Sequence, residues 1–268
     1  RAALDDEESS RVEVEKNYTL ILVDIPSIEI RNDREAYTTI PLGIILLDQY
    51  IITVCAEETP VLEAFVERKV RDISTKKRMR LMYQILYRNC MTYQYYLRVM
   101  DRRRIIIEQR IQEETEDADL IDLHELESNL VYFATSLRAN GVVLDKLTRY
   151  SSIKQYPEDR ELLDDVVVEN KQAIEMANIY SGVLANMTDA FASIVSNNLN
   201  NVMRIFTIIS ITLSIPTLIF SMYGMNFDGG MMGMPFTDKP WGFMLIIVIS
   251  MVLSGAVAWF LTRSRMFK

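Results

Sequence analysis

A polar tripeptide, Gly224-Met225-Asn226, lies between two long apolar runs near the end of the chain. The first run covers residues 205–223 and the second covers residues 241–262. A polar group between two membrane spans is placed to meet an ion from outside the membrane. The sequence therefore indicates a candidate transporter.

Both apolar runs are long enough to cross a bilayer. No charged residue occurs between Arg204 and Asp228, or between Lys239 and Arg263, and a span needs about 20 residues. Basic residues precede the first run and follow the second. The positive-inside rule then places both termini in the cytoplasm and the intervening loop outside. We predict a multi-pass protein of the cell membrane, in contact with lipid.

Polar residues of the first run recur on one face of a predicted helix. They are separated by alternating steps of three and four residues, a period of about 3.5: Thr207, Ser210, Ser214, Thr217 and Ser221. The same face continues toward the N-terminus through Met203, Asn200, Ser196, Ser193 and Asp189. Within the run, Thr212 and Tyr223 depart from the pattern. We call this set the polar stripe.

Two interpretations of the polar stripe remain open. Small hydroxyl residues allow membrane helices to pack closely, and we prefer that explanation for Ser250 and Ser254 of the second run. Alternatively, the stripe lines a water-filled pore built from several copies of the helix. We favour the pore, because the stripe begins at a charged residue and ends at the polar tripeptide. One hairpin cannot enclose a pore, so the copies must form a ring.

The segments before the membrane runs predict a soluble part. Short apolar runs between Val12 and Val54 predict a small sheet with a loop at residues 31–35. Pro60 begins a region of about three helices packed on this sheet. From Pro157 the chain has no further proline until Pro216, which predicts one helix on the order of 100 Å long.

The predicted fold is an α+β cytoplasmic domain followed by a long stalk helix that continues into the first of two C-terminal transmembrane helices. The predicted divisions are 1–60 as a small α/β N-terminal domain whose natural beginning is missing, 61–156 as a cytoplasmic helical layer, 157–223 as the stalk and first transmembrane helix, 224–239 as an extracytoplasmic loop, 240–262 as the second transmembrane helix and 263–268 as a basic cytoplasmic tail.

Composition argues against several classes of protein. The formal net charge is −8, which disfavours a nucleic-acid partner because phosphate binding needs a basic surface. His124 is the single histidine, and Cys55 and Cys90 are far apart, so a zinc site within one chain is not expected. The sequence contains no nucleophile–base pair, phosphate loop or HExxH motif, so we do not expect an enzyme.

Three motifs resemble the CorA family of magnesium/cobalt transporters. They are Asn-Asn-Leu-Asn-Asn-Val-Met at 197–203, Pro-Thr at 216–217 and Tyr-Gly-Met-Asn-Phe at 223–227. The resemblance implies a funnel-shaped homopentamer in the inner membrane that transports Mg²⁺, with Co²⁺ and Ni²⁺ as further ions. It also implies a selectivity filter formed by Gly224, Met225 and Asn226, in which five Asn226 side chains bind hydrated Mg²⁺.

The resemblance further implies a gate and an inner metal site on the polar stripe. The implied gate comprises Met203, Phe206 and Asp189. Met203 and Phe206 match a hydrophobic constriction, and Asp189 matches an acidic ring at the inner mouth of the pore, where it would hold a cation. The implied pore lining comprises Asp189, Ser193, Ser196, Asn200, Met203, Phe206, Thr207, Ser210, Ser214, Thr217 and Ser221.

A regulatory Mg²⁺ site between subunits is implied as well. In the family, cytosolic Mg²⁺ closes the channel by bridging carboxylates of neighbouring subunits. Asp165 lies at the matching place on the stalk, and Glu29 or Asp33 are candidate partners from the N-terminal domain. The implied metal-binding residues are therefore Asn226, Asp165 and Asp189.

The sequence departs from the family in the outer loop, where residues 228–235 are rich in glycine and methionine instead of acidic. Two alternative functions also stay open. One is a transporter of Zn²⁺, Co²⁺ or Ni²⁺ with the same fold. The other is a membrane-anchored oligomeric sensor that does not conduct, which would predict a first span that is apolar on all sides.

Overall fold

The computed structural model describes Asp5 and residues 8–31, 34–113, 117–149, 157–225 and 241–263. Its contacts divide the chain into two compact units, Arg1–Phe191 and Ala192–Lys268. This division falls inside a helix and differs from the predicted domain boundaries, which stay a prediction. Each unit is described separately.

The first unit contains a four-stranded antiparallel sheet in the order β1-β2-β3-β4. The strands are β1 (Arg11–Val14), β2 (Tyr18–Arg31), β3 (Arg34–Leu47) and β4 (Ile51–Cys55). β2 and β3 pair along 14 residues each, so the strands extend into the loop predicted at residues 31–35. Asp33 lies outside the described residues.

Asn140 extends the sheet where β1 stops. β1 pairs with β2 up to Leu22, so the backbone of Asp24 has no strand partner on that side. The Asp24 N–H donates to Asn140 Oδ1 at 2.8 Å, and Asn140 Nδ2 donates to the Asp24 carbonyl at 2.7 Å. A side-chain amide thus satisfies both backbone groups, as buried polar groups require.

In the part of the chain that the structure describes, three helices follow the sheet before residue 150: α1 (Pro60–Val66), α2 (Arg78–Glu113) and α3 (Asp117–Arg149). Thr59 caps α1, because its hydroxyl accepts from the Val61 N–H at 3.3 Å while Pro60 occupies the first turn. One core cluster joins the sheet to the helices. A second cluster lies among the helices and includes Tyr93 and Phe133, whose rings meet edge to face at 5.0 Å.

The long helix predicted from the sequence is α4 (Pro157–Tyr223), 67 residues, and a further helix, α5 (Gly242–Arg263), follows it. Both are long and apolar enough to cross a membrane. Pro216 lacks an N–H and leaves the Thr212 carbonyl without its helical donor, yet α4 continues to Tyr223. These elements confirm the predicted α+β fold with a long helix and a C-terminal apolar helix.

Candidate functional site

The second unit contains the part of α4 after Phe191 and all of α5. Partly shielded residues of α4 follow one helical face and include Ile208, Thr212, Ile215 and Ile219. The buried residues of α5 recur at every fourth position: Gly242, Ile246, Ser250 and Ser254. One shielded face on each helix is the pattern expected for two membrane helices packed side by side.

The polar stripe lies on the other side of α4 from its shielded face. At about 100° per residue, Ser210, Ser214, Thr217 and Ser221 point nearly opposite to Ile208 and its neighbours. All four of these polar residues are exposed, and Thr207 is half-buried. The chain therefore leaves this face of its own helix uncovered.

Hydroxyl groups of the stripe bond to the helix that carries them. Each donates to the backbone carbonyl four residues earlier: Thr207 to Met203 at 2.7 Å, Ser210 to Phe206 at 2.8 Å, Ser214 to Ser210 at 2.7 Å and Thr217 to Leu213 at 2.9 Å. A hydroxyl whose hydrogen is used in this way still has an oxygen lone pair to offer. The stripe is consequently a row of hydrogen-bond acceptors.

Hydroxyl residues away from the stripe have different surroundings. Thr212 is half-buried on the shielded face and donates to the Ile208 carbonyl at 2.7 Å. On α5, Ser250 and Ser254 are 1% and 8% exposed, and Ser254 donates to the Ser250 carbonyl at 2.8 Å. Their burial supports the interpretation that the two serines of α5 serve helix packing.

Large apolar side chains accompany the stripe at the position predicted for the gate. Met203 is 64% exposed and Phe206 is 68% exposed. Asn200, Ser196 and Ser193, further toward the N-terminus, are exposed as well. Packing within one chain therefore does not account for Met203 or Phe206. Asp189, at the end of the first unit, is also exposed.

The helix end before the tripeptide is regular. The Gly224 N–H donates to the Phe220 carbonyl at 2.9 Å, and the Met225 N–H donates to the Met222 carbonyl at 3.3 Å. Gly224 has no positive φ, and a Cβ there would meet the carbonyl oxygens of Phe220 and Ser221 at an ordinary 3.4 and 3.5 Å. Neither the φ of Gly224 nor the space around it therefore requires a glycine within the single chain. Asn226 lies outside the described residues.

The implied regulatory residues lie in the first unit. Asp165 and its neighbour Asp164 are exposed on α4, and Glu29 is half-buried in β2. The Tyr87 hydroxyl has its pKa raised, first by burial and then by the negative charges of Glu169 and Asp165. The described residues contain no group of three or more His, Cys, Asp or Glu side chains that could hold a metal ion. Any site at Asp165 therefore needs groups that the described part of one chain does not bring to it.

Sequence reasoning missed the polar contacts that fix α4 near Asp165. Gln94 Nε2 of α2 donates to Glu169 Oε2 at 2.6 Å, and Asn170 Nδ2 donates to the Leu137 carbonyl of α3 at 3.1 Å. Asn170 is 2% exposed. In the sequence, the available signal was Glu169 followed by Asn170 within a charged stretch of helix. The partner of Glu169 is 75 residues away in the chain, and the partner of Asn170 is 33 residues away.

Comparisons with known proteins agree with this arrangement. A family model described as CorA-like Mg²⁺ transporter protein matches residues 1–263. The cobalt/magnesium transport protein CorA of Methanocaldococcus jannaschii is 28% identical over 269 residues, which are 97% of this chain and 81% of that protein. The protein of the same description from Thermotoga maritima is 26% identical over 185 residues, 69% of this chain and 52% of that protein.

A solved structure is similar over nearly the whole chain. The complete structure of the CorA magnesium transporter from Methanocaldococcus jannaschii matches with a TM-score of 0.82 at 26% identity. The match covers 98% of this chain and 81% of the chain in that structure. The matched family consists of transport proteins, in agreement with the expectation that the chain is not an enzyme. Because the family model extends over all but the last five residues, we conclude that this membrane protein belongs to the family of CorA-like Mg²⁺ transporter proteins.

Proposed function

We propose that the chain is one subunit of a divalent-cation channel that conducts hydrated Mg²⁺ along the polar stripe of α4. The observation that carries the proposal is the row of hydroxyl acceptors at Ser210, Ser214 and Thr217 on the helix face that the chain leaves uncovered. The half-buried Thr207 continues this row toward the N-terminus. The channel lies in the inner membrane with both termini in the cytoplasm.

Acceptors are the groups that a hydrated cation needs in a pore wall. Mg²⁺ loses its water reluctantly, and the hydrogens of bound water point away from the ion. Hydroxyl oxygens whose own hydrogens are engaged with the helix can accept from that water. The stripe can therefore guide the ion without removing its hydration shell.

Assembly follows from the exposure of the same face. Polar residues in transmembrane segments usually face a bundle interior or a water-filled cavity. Copies of α4 arranged around an axis turn their stripes inward and leave each α5 on the outside. The family resemblance favours five copies, and cyclic symmetry closes the ring.

The filter in this proposal is formed by Gly224, Met225 and Asn226. Five Asn226 amide oxygens accept hydrogen bonds from the water shell of the ion, and they bind more weakly than carboxylates would. Weak binding allows the ion to leave, as conduction requires. Gly224 meets no crowding within one chain, so its missing side chain is explained by close approach of the chains at the axis.

Closure of the pore is assigned to Met203 and Phe206. Rings of exposed apolar side chains can expel water from a narrow pore and stop hydrated ions. Asp189 forms an acidic ring at the inner mouth, and a cation there relieves the mutual repulsion of the carboxylates.

Regulation is assigned to Asp165. Its exposed carboxylate binds cytosolic Mg²⁺ together with a carboxylate of a neighbouring subunit, and this bridge favours the closed state. Glu29 remains the candidate partner among the described residues. Opening on loss of the ion lets Mg²⁺ enter, and a divalent ion gains about 4.6 kcal/mol per 100 mV of membrane potential.

Flux into liposomes tests the proposed function. The purified full chain is reconstituted with an Mg²⁺-sensitive dye inside, and a negative-inside potential is imposed with K⁺ and valinomycin. We expect Mg²⁺ uptake that rises with the potential. Faster uptake of Zn²⁺, Co²⁺ or Ni²⁺ in competition would assign the chain to those ions instead. Absence of flux with every divalent cation would support the non-conducting sensor and contradict the channel.

A further inference from the structure

A groove runs between α2 and α3 in the first unit, with a volume of about 440 Å³. We call it the α2–α3 groove. Its α2 wall is Arg103, Ile106, Ile107 and Arg110, its α3 wall is Asp122, Glu125, Leu126 and Asn129, and Glu35 of β3 also lines it. On each helix these positions follow the i, i+3, i+4, i+7 spacing of a single face. The volume is within the range of about 300–1,000 Å³ that is usual for small-molecule sites.

The floor of the α2–α3 groove is apolar and fixed by packing. Ile107 and Leu126 are each 4% exposed and belong to the core cluster among the helices. Ile106 is 56% exposed at its side. The accessible apolar surface of the groove is therefore mainly the side chain of Ile106, beside this fixed floor.

Paired charges hold the rim of the groove. Arg103 donates to the carbonyl and the carboxylate of Glu35 at 2.9 and 3.0 Å, and its guanidinium lies 5.4 Å from the ring centre of Tyr37. Arg110 donates to Asp122 Oδ2 at 2.8 Å. Because the charges of each pair largely neutralise each other, these residues mainly hold the two walls of the groove in place and contribute little attraction for a ligand.

Two polar side chains of the groove lack partners among the described residues. Asn129 is 5% exposed, and its Nδ2 has no hydrogen-bond acceptor. The half-buried Glu125, one helical turn earlier, takes part in no hydrogen bond or ion pair with the described residues. A donor beside a carboxylate complements a molecule with an anionic acceptor next to a cationic donor. The groove also has no group of three metal-ligating side chains, so a metal ion alone does not match it.

We propose that the α2–α3 groove binds a small zwitterion of the aliphatic α-amino acid class. Its carboxylate accepts from Asn129 Nδ2, its ammonium group donates to Glu125, and its side chain lies against Ile106. This site is in the first unit and is independent of the ion pathway proposed above.

Binding of L-leucine to the purified full chain in detergent tests this proposal. Isothermal titration calorimetry is run with L-leucine, with isopentylamine, which lacks the carboxylate, and with 4-methylpentanoate, which lacks the ammonium group. We expect saturable binding of L-leucine, and each analogue should bind at least about tenfold more weakly because it loses a charge-assisted hydrogen bond.

Variants locate the site. Asn129→Leu and Glu125→Gln should each weaken L-leucine binding about tenfold or more. The matched control is Glu127→Gln on the same helix. Glu127 is exposed and does not line the groove, and its Oε2 lies 3.8 Å from His124 Nδ1. It should bind as wild type does. Thermal unfolding confirms that each variant is folded, and the half-buried Glu125 provides the second test if Asn129→Leu is unstable.

Several results would overturn the proposal. They are no binding of L-leucine at millimolar concentration, equal binding of the two analogues, or an equal loss in Glu127→Gln. The proposal would also be wrong if a second copy of the chain covered the groove. In that case a cysteine introduced by Ile106→Cys would be protected from a water-soluble maleimide even without any ligand.

Discussion

Thr217 and Thr212 make the same hydrogen bond on different sides of α4. Each hydroxyl donates to the backbone carbonyl four residues earlier, at 2.9 Å for Thr217 and 2.7 Å for Thr212. The two residues are about 140° apart around the helix axis. Thr217 is exposed on the polar stripe, and Thr212 is half-buried on the face that is shielded within the second unit.

This pair provides a matched test of the pore lining. Thr217→Val removes an acceptor from every copy around the axis and should lower Mg²⁺ uptake by about fivefold or more, since one hydrogen bond is worth about 1 kcal/mol. Thr212→Val deletes the same hydroxyl on the shielded face and should leave uptake near the wild-type rate. Stopped-flow fluorescence of reconstituted liposomes measures both. Equal losses in the two variants would count against the assignment of the stripe.

The gate assignment predicts a leak when Met203 becomes polar. Met203→Asn adds hydrogen-bonding groups to the constriction, so water and hydrated ions should persist there. With Mg²⁺ on the cytoplasmic side, where the wild type closes, the variant should keep conducting in planar bilayer recordings. Val202→Asn makes the same change at an exposed neighbouring residue and should close normally. A Met203→Asn channel that closes as tightly as wild type would remove Met203 from the gate.

Regulation by cytosolic Mg²⁺ should depend on Asp165. Asp165→Asn removes one charge from the bridging site, and about tenfold more cytosolic Mg²⁺ should be needed for half-inhibition of uptake. Asp164→Asn, at the adjacent exposed position, is the control and should be inhibited as wild type is. The measurement is initial uptake rate against Mg²⁺ concentration on the cytoplasmic side. An unchanged inhibition curve for Asp165→Asn would mean that the regulatory ion binds elsewhere.

The membrane helices could be predicted from sequence because their signals are local. Absence of charge over about 20 residues marks a span, and α4 contains few helix-disfavouring residues after Pro157, namely Gly182 and Pro216. The bounds predicted for α4 from these signals, residues 157 and 223, are those of the helix in the structure. The spacing of hydroxyl residues along α4 also indicated which face would stay open, since that face depends on helix geometry alone.

Features that depend on contacts between residues far apart in the chain could not be predicted from local sequence patterns. The full length of β2, which continues beyond Val23 to Arg31, could not be predicted because Asp24 and Pro26 interrupt its apolar pattern. The structure accommodates Asp24 through Asn140, which is 116 residues away.

Asp24 predicts a pH dependence of stability. Burial raises the pKa of its carboxyl above the ordinary value of 3.8, although hydrogen bonds with Ser136 and Ser10 oppose the shift. An acid whose folded-state pKa is raised contributes stability that is fully present below its unfolded pKa and is lost as pH rises through the folded pKa. Asp24→Asn stays neutral and should therefore gain stability relative to wild type as pH rises from about 4 to 7.

Thermal unfolding followed by circular dichroism at several pH values measures this effect. Asp145→Asn, at an exposed position of α3, is the control and should differ from wild type by a constant amount. A pH-independent difference between Asp24→Asn and wild type would show that the ionised carboxylate of Asp24 is not destabilising.

The central claim is that a ring of Asn226 amides selects hydrated Mg²⁺, and the most direct test is Mg²⁺ uptake by Asn226→Ala in liposomes under a negative-inside potential. Asn201→Ala, at an exposed residue of α4 outside the polar stripe, is the control, and size-exclusion chromatography verifies that both variants assemble. We predict that Asn226→Ala abolishes uptake while Asn201→Ala conducts as wild type does. Undiminished uptake by Asn226→Ala would contradict the account.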